Sequence, residues 1–157
     1  MDPISIIASA ITIGASAAQL SLALSIVVGT LKNAPKEIAD IGRQISLVSA
    51  YNILIKLADE ISLLAGSLQT LGEILGTHQN LCKPAFFANT RAIISRYEGV
   101  AAEIRLLISR RRSLVRLKWL SNKIKVKGLL KKIEGIKTLL VLELSVIRLA
   151  REEANRP

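Results

Sequence analysis

From Pro3 to Leu31 the chain carries no charged residue, a run of 29 positions bounded by Asp2 and Lys32. Within it Ser5, Ser9, Thr12, Ser16 and Gln19 recur at spacings of four, three, four and three, which traces one stripe of an α-helix. Apolar rows accompany the stripe: Ile4, Ile7 and Ile11, then Leu20, Leu24, Val27 and Leu31. Ala10, Gly14 and Ala18 repeat every four residues, the spacing of small side chains that lets two helices approach closely. As a helix the run is about 44 Å long, enough to cross a bilayer core of roughly 30 Å. Its five serines, two threonines and Gln19 make it less greasy than a permanent span. Such a helix suits the core of a bundle as well as lipid. In a soluble bundle the Ser/Thr stripe would face water, and in a membrane oligomer it would face partner helices or a pore. A secretory signal would open with basic residues, whereas Asp2 follows Met1 here.

Downstream the apolar positions keep a helical period. Pro35 suits the first turn of a helix starting near Lys36. Ile38, Ile41, Ile45 and Val48 begin its apolar face, and Leu57, Ile61, Leu64, Leu68, Leu71 and Leu75 continue it to a stop at Gly76. Residues 77–84 read as a linker. A further helix fits Ala85 to about Lys118, with Ile93, Tyr97, Val100, Ile104 and Leu107 in register. Ser121 or Asn122 caps a last helix whose seam is Val126, Leu130, Ile133, Leu140, Leu144 and Ile147, before a polar end over 152–157. The pattern predicts a single all-α domain over 1–157, an up-down bundle of four to five long helices. Lys36-Glu-Ile-Ala-Asp-Ile41 is echoed by Lys56-Leu-Ala-Asp-Glu-Ile61. Either one helix of about 40 residues covers both, or extra residues are inserted over 42–58.

Composition narrows the function. Half of the residues are hydrophobic and 3% are aromatic, too apolar for a disordered chain. The single Cys82 excludes a disulfide scaffold, and His78 and Cys82 alone make no zinc site. With one His and one Cys, and no phosphate-binding glycine motif, the chain reads as a non-enzyme without cofactor or metal. Net charge is +10, and it is local: residues 103–137 hold twelve basic and two acidic side chains, while the rest of the chain is balanced. Arg110, Arg111, Arg112, Arg116 and Lys118 precede Trp119, and Lys123, Lys125 and Lys127 follow it. A lone tryptophan between basic clusters suits the headgroup layer of an anionic membrane. The same charges would attract nucleic acid, but no stacking aromatics accompany them, so that partner is the least favoured.

Several segments resemble a known family. Met1-Asp-Pro-Ile-Ser-Ile-Ile-Ala-Ser-Ala10, Leu31-Lys-Asn-Ala-Pro-Lys-Glu-Ile38, Ile61-Ser-Leu-Leu-Ala-Gly-Ser-Leu68 and Cys82-Lys-Pro-Ala-Phe-Phe87 resemble the fungal N-terminal domain of STAND/NACHT, NLR-like receptors, which is similar to HeLo-like cell-death domains. The resemblance extends from Met1 to about Ala150. It implies a helical signalling or executioner module that self-associates, is governed by a receptor, and delivers its N-terminal helix to the membrane. The implied state is cytoplasmic at rest and membrane-bound when active. On this chain the inserting positions would be Ile4, Ile7, Ile11, Leu20, Leu24, Val27 and Leu31. The lipid-addressing set, resting on charge alone, would be Arg110, Arg111, Arg112, Arg116, Lys118, Trp119, Lys123, Lys125 and Lys127. An alternative is a protein-interaction module that never enters lipid. Two departures stand out. The family joins the segment ending at Ile41 almost directly to Glu60-Ile-Ser-Leu-Leu64, and here about 15 to 18 residues intervene. The family's nucleotide-binding domain is also absent before Pro157, which suggests a stand-alone effector or part of a receptor.

Overall fold

Asp2 and Pro3 start the first helix as a cap and first-turn residue. The Asp2 carboxylate accepts from the Ser5 backbone N–H at 2.7 Å, and Pro3 loses nothing where no N–H partner exists. That hydrogen bond holds the exposed Asp2 carboxyl below its ordinary range. The computed structural model describes residues 2–32, 41–79, 83–109 and 123–156, with side chains except at 30–32, 41–50, 109 and 123. It contains helices α1 (Pro3–Lys32), α2 (Ile41–Thr77), α3 (Pro84–Ser109) and α4 (Lys123–Ala154), and no strand among the described residues. The all-α bundle expected from periodicity is what forms.

Contacts along the helices give their directions. Ile7 lies against Gly76, Gly14 against Gln69, and the Ser21 hydroxyl donates to the Ala58 carbonyl at 2.8 Å, so α1 and α2 are antiparallel. Asn89 donates to Glu143 at 3.3 Å and Lys132 to Glu103 at 3.0 Å, so α3 and α4 are antiparallel too. Lys56 pairs with Glu134 and Glu60 with Lys137, which runs α4 parallel to α2. The main packing pairs are α1/α2, α2/α4, α4/α3 and α3/α1. The order around the bundle is therefore α1–α2–α4–α3, and the step from α2 to α3 crosses the diagonal. At 37 residues, about 55 Å, α2 is the longest helix. Residues 42–58 continue it, and Leu54, Leu57 and Ala58 are buried.

The core is almost purely aliphatic. On α2 the expected row Leu57, Ile61, Leu64, Leu68, Leu71 and Leu75 is buried in full. On α3 Ile93, Tyr97, Val100 and Ile104 are buried, with Leu107 packed at the edge. Burial pushes the Tyr97 phenol up to about 12, and its hydroxyl has no hydrogen-bond partner among the described residues. The α4 seam departs from the expected one. Val126, Leu129, Ile133, Ile136, Leu140, Glu143 and Ile147 face inward, while Leu130 and Leu144 are half-buried. The helix also runs through Glu152 and Glu153 to Ala154, so part of the expected polar end is helical.

Glu143 thus occupies a core position. Asn89 donates to one carboxylate oxygen, and the other is buried without a partner among the described residues. Burial raises its pKa, and the Asn89 hydrogen bond offsets this only in part. A group raised in the folded state contributes most below its unfolded pKa, and that contribution is lost as pH rises through the folded value. Glu143→Gln is therefore expected to stabilise the bundle by about 1–3 kcal/mol at neutral pH and to flatten its loss of stability above mildly acidic pH. Melting temperatures of both chains across that range check this. A parallel pair of curves would show that Glu143 is solvated.

Candidate functional site

The surface singled out by the sequence is built on α1 and the start of α4. Seven residues of α1 seat it in the bundle: Ile6, Ala10, Ile13, Ala17, Leu20, Leu24 and Val27, all under a tenth exposed. Their spacing of four and three is the seam of a closely packed helix pair. The outward face is also apolar. Ile4 is 71% exposed, Ile11 43%, Leu22 66% and Ile26 63%. Between them Ala8, Thr12, Ala15, Ala18, Gln19 and Ser25 are exposed, so no charge interrupts this face. The 27-residue segment Pro3–Gly29 is long and apolar enough to cross a membrane; an 18-residue window within it has a mean hydropathy of 1.9, and 28% of that window is buried.

The expected inserting residues fall into two groups. Ile4 and Ile11 stand in solvent and Ile7 is half-buried beside Gly76. Leu20, Leu24 and Val27 are core residues in this state, and the Leu31 side chain lies outside the described residues. Leu22 and Ile26 extend the outer face and escaped the sequence reading. On a helix apolar all round, periodicity does not fix which side turns inward.

The packing trio also needs correction. Ala10 and Gly14 do face α2, but Ala18 is exposed and Ala17 takes its place. The crossing is tight. A Cβ on Gly14 would lie 2.6 Å from Gln69 Cγ and 3.0 Å from the Ala65 carbonyl oxygen. A Cβ on Gly72 would lie 2.7 Å from Ile11 Cγ1 and 3.3 Å from the Ile11 nitrogen. The Ser/Thr stripe runs along the rim: Thr12 and Gln19 are exposed, while Ser5, Ser9 and Ser16 are half-buried.

Polar tethers are distributed unevenly. Among the described residues, the interhelical ion pairs Lys56–Glu134, Glu60–Lys137 and Glu103–Lys132 all use α4, and none uses α1. Helix α1 is held by apolar contact, the Ser21–Ala58 bond and one bond from Arg105 Nη2 to Ser16 Oγ at 2.8 Å.

Of the expected lipid-addressing residues, Lys125 and Lys127 are exposed on the first turns of α4. Between them and Lys123 stands Ile124, 85% exposed. Arg110, Arg111, Arg112, Arg116, Lys118 and Trp119 lie outside the described residues, as does the side chain of Lys123. The α4 start sits at the end of the bundle where α1 finishes, opposite Ile4, because α4 parallels α2 and α2 opposes α1. His78 is half-buried with Nε2 3.5 Å from Arg151, and Cys82 lies outside the described residues. No group of three metal-binding side chains occurs among the described residues. No family model, curated protein or solved structure matches the chain.

Proposed function

We propose that this chain is a HeLo-like signalling and executioner module that self-associates and delivers α1 to anionic membranes. The observation that carries the reading is the outer face of α1, where Ile4, Ile11, Leu22 and Ile26 stand exposed on a helix without charge from Pro3 to Leu31. Burying apolar surface is worth about 25 cal/mol per Å2, so this face gains by leaving water. The basic segment 103–137 supports an anionic target, since each Lys or Arg near an acidic leaflet adds on the order of 1 kcal/mol. The resemblance to fungal receptor domains supports regulated cell death or non-self recognition as the setting, with a cytoplasmic resting state and an NLR-like or other protein as a partner.

The test is dye release from phosphatidylcholine vesicles with and without phosphatidylserine, using the full chain before and after assembly. Release that requires the acidic lipid is expected, and it should fall as salt rises. Absence of release from a folded chain in every assembly state would overturn the reading. A second reading, an interaction module that never enters lipid, draws on α3. Its outer face is a row of exposed small residues, Ala88, Ala92, Ser95, Gly99 and Ala102, suited to close helix pairing. That reading expects concentration-dependent oligomers without vesicle binding.

A further inference from the structure

We infer that the cleft between α1 and α3 binds the phosphate headgroup of an anionic lipid, with Arg105 exchanging the Ser16 hydroxyl for the phosphate. The cleft has a volume of about 250 Å3 and is lined by Ser16, Gln19, Leu20, Ala23, Arg105 and Ile108. Its chemistry is that of an amphiphile site. Leu20, Ala23 and Ile108 give an apolar wall for the first carbons of an acyl chain. Arg105 and Ser16 place a cationic fork beside a hydroxyl, and Gln19 adds an amide to the lining.

Arg105 is suited to the exchange. Its guanidinium has five N–H donors, and its hydrogen bond among the described residues is the one to the neutral Ser16 hydroxyl. Among the described residues no carboxylate pairs with it, unlike Lys132 with Glu103 or Lys137 with Glu60. A phosphate accepts two parallel bonds from guanidinium and is a stronger partner than a hydroxyl. Arg105 belongs to a sequence segment, residues 103–137, that is ten charges positive, which favours anionic ligands. Because this bond is a polar link between α1 and α3, occupation of the cleft would also loosen α1. That consequence rests on the membrane reading, whereas the binding itself does not.

The experiment titrates the full chain with short-chain phosphatidic acid below its micelle concentration, with inorganic phosphate in a second arm. Binding is read from backbone amide shifts at 16–23 and 105–108. Arg105→Gln is expected to weaken lipid binding about tenfold. Arg91→Gln, an equal loss of charge on an exposed arginine of the same helix, is expected to change it less than about twofold. Ser16→Ala removes the competing hydroxyl, so its affinity should equal or exceed that of the parent chain. Circular dichroism of each variant confirms the fold. Equal weakening by Arg105→Gln and Arg91→Gln would overturn the site, as would inorganic phosphate binding as tightly as the lipid. Lipid binding that persists in a chain inert toward vesicles would retain the cleft while removing the membrane reading.

Discussion

Gly14→Val is expected to destabilise the bundle by about 1–3 kcal/mol, and Gly72→Val by a similar amount, both read as a lower urea midpoint at unchanged slope. The first Cβ alone would sit 2.6 Å from Gln69 Cγ and 3.0 Å from a backbone carbonyl. Gln69 can swing away, but the Ala65 carbonyl moves only with helix α2. Valine adds two more methyl groups to that contact, so the helices must part and lose contacts along the seam. Helix propensity works the other way, since glycine is about 1 kcal/mol poorer than alanine in a helix interior. The balance can be seen within one chain. Gly66 and Gly128 lie in α2 and α4 with nothing within 4 Å of an added Cβ. Gly66→Ala and Gly128→Ala are therefore expected to stabilise by about 0.5–1 kcal/mol. A Gly14→Val chain as stable as the parent would mean that α1 does not rest this closely on α2.

The double substitution Leu22→Lys and Ile26→Lys is expected to abolish dye release while leaving the melting temperature nearly unchanged. Both side chains are about two-thirds exposed, so folding places neither new charge in the core. Surface substitutions of this kind usually shift stability by no more than about 0.5 kcal/mol. In a bilayer the effect is different. A lysine at the centre of a spanning helix costs about 2.5–3.5 kcal/mol, and two in one turn interrupt the apolar face. The added positive charge should, if anything, favour the approach to acidic lipid. Loss of release therefore isolates insertion from attraction. Unchanged release would show that this face stays out of the hydrocarbon, and the proposed role of α1 would fall with it.

Much of the bundle is legible in the sequence because two of its helices carry a clear apolar row. The α2 row from Leu57 to Leu75 and the α3 row from Ile93 to Ile104 are buried in the phase that their spacing predicts, with mostly polar or small residues between them. Phase failed where that contrast was weak. On α4 the choice lay between Glu143 and Leu144, and hydropathy favours the leucine. Leu140 and Ile147 fix the face, but 143 and 144 both lie between them at helical spacing, and only the packed bundle shows that Glu143 is the one turned inward. On α1 nearly every position is apolar or small, so the four-residue spacing that points to Ala18 has no polar contrast to set it against Ala17.

By itself, the sequence determined the helices, the uncharged run that forms α1, and the concentration of positive charge in residues 103–137. These follow from period, composition and charge, which are properties of the chain before it folds. The tertiary structure decided which side of α1 meets α2, because only the facing helix makes Gly14 and Ala17 preferable to their neighbours. It also decided that α4 collects the ion pairs, that Arg105 reaches Ser16, and that Leu22 and Ile26 stay in water. Each of these joins residues from different helices or sets one helix face against another, and no local pattern encodes such a choice.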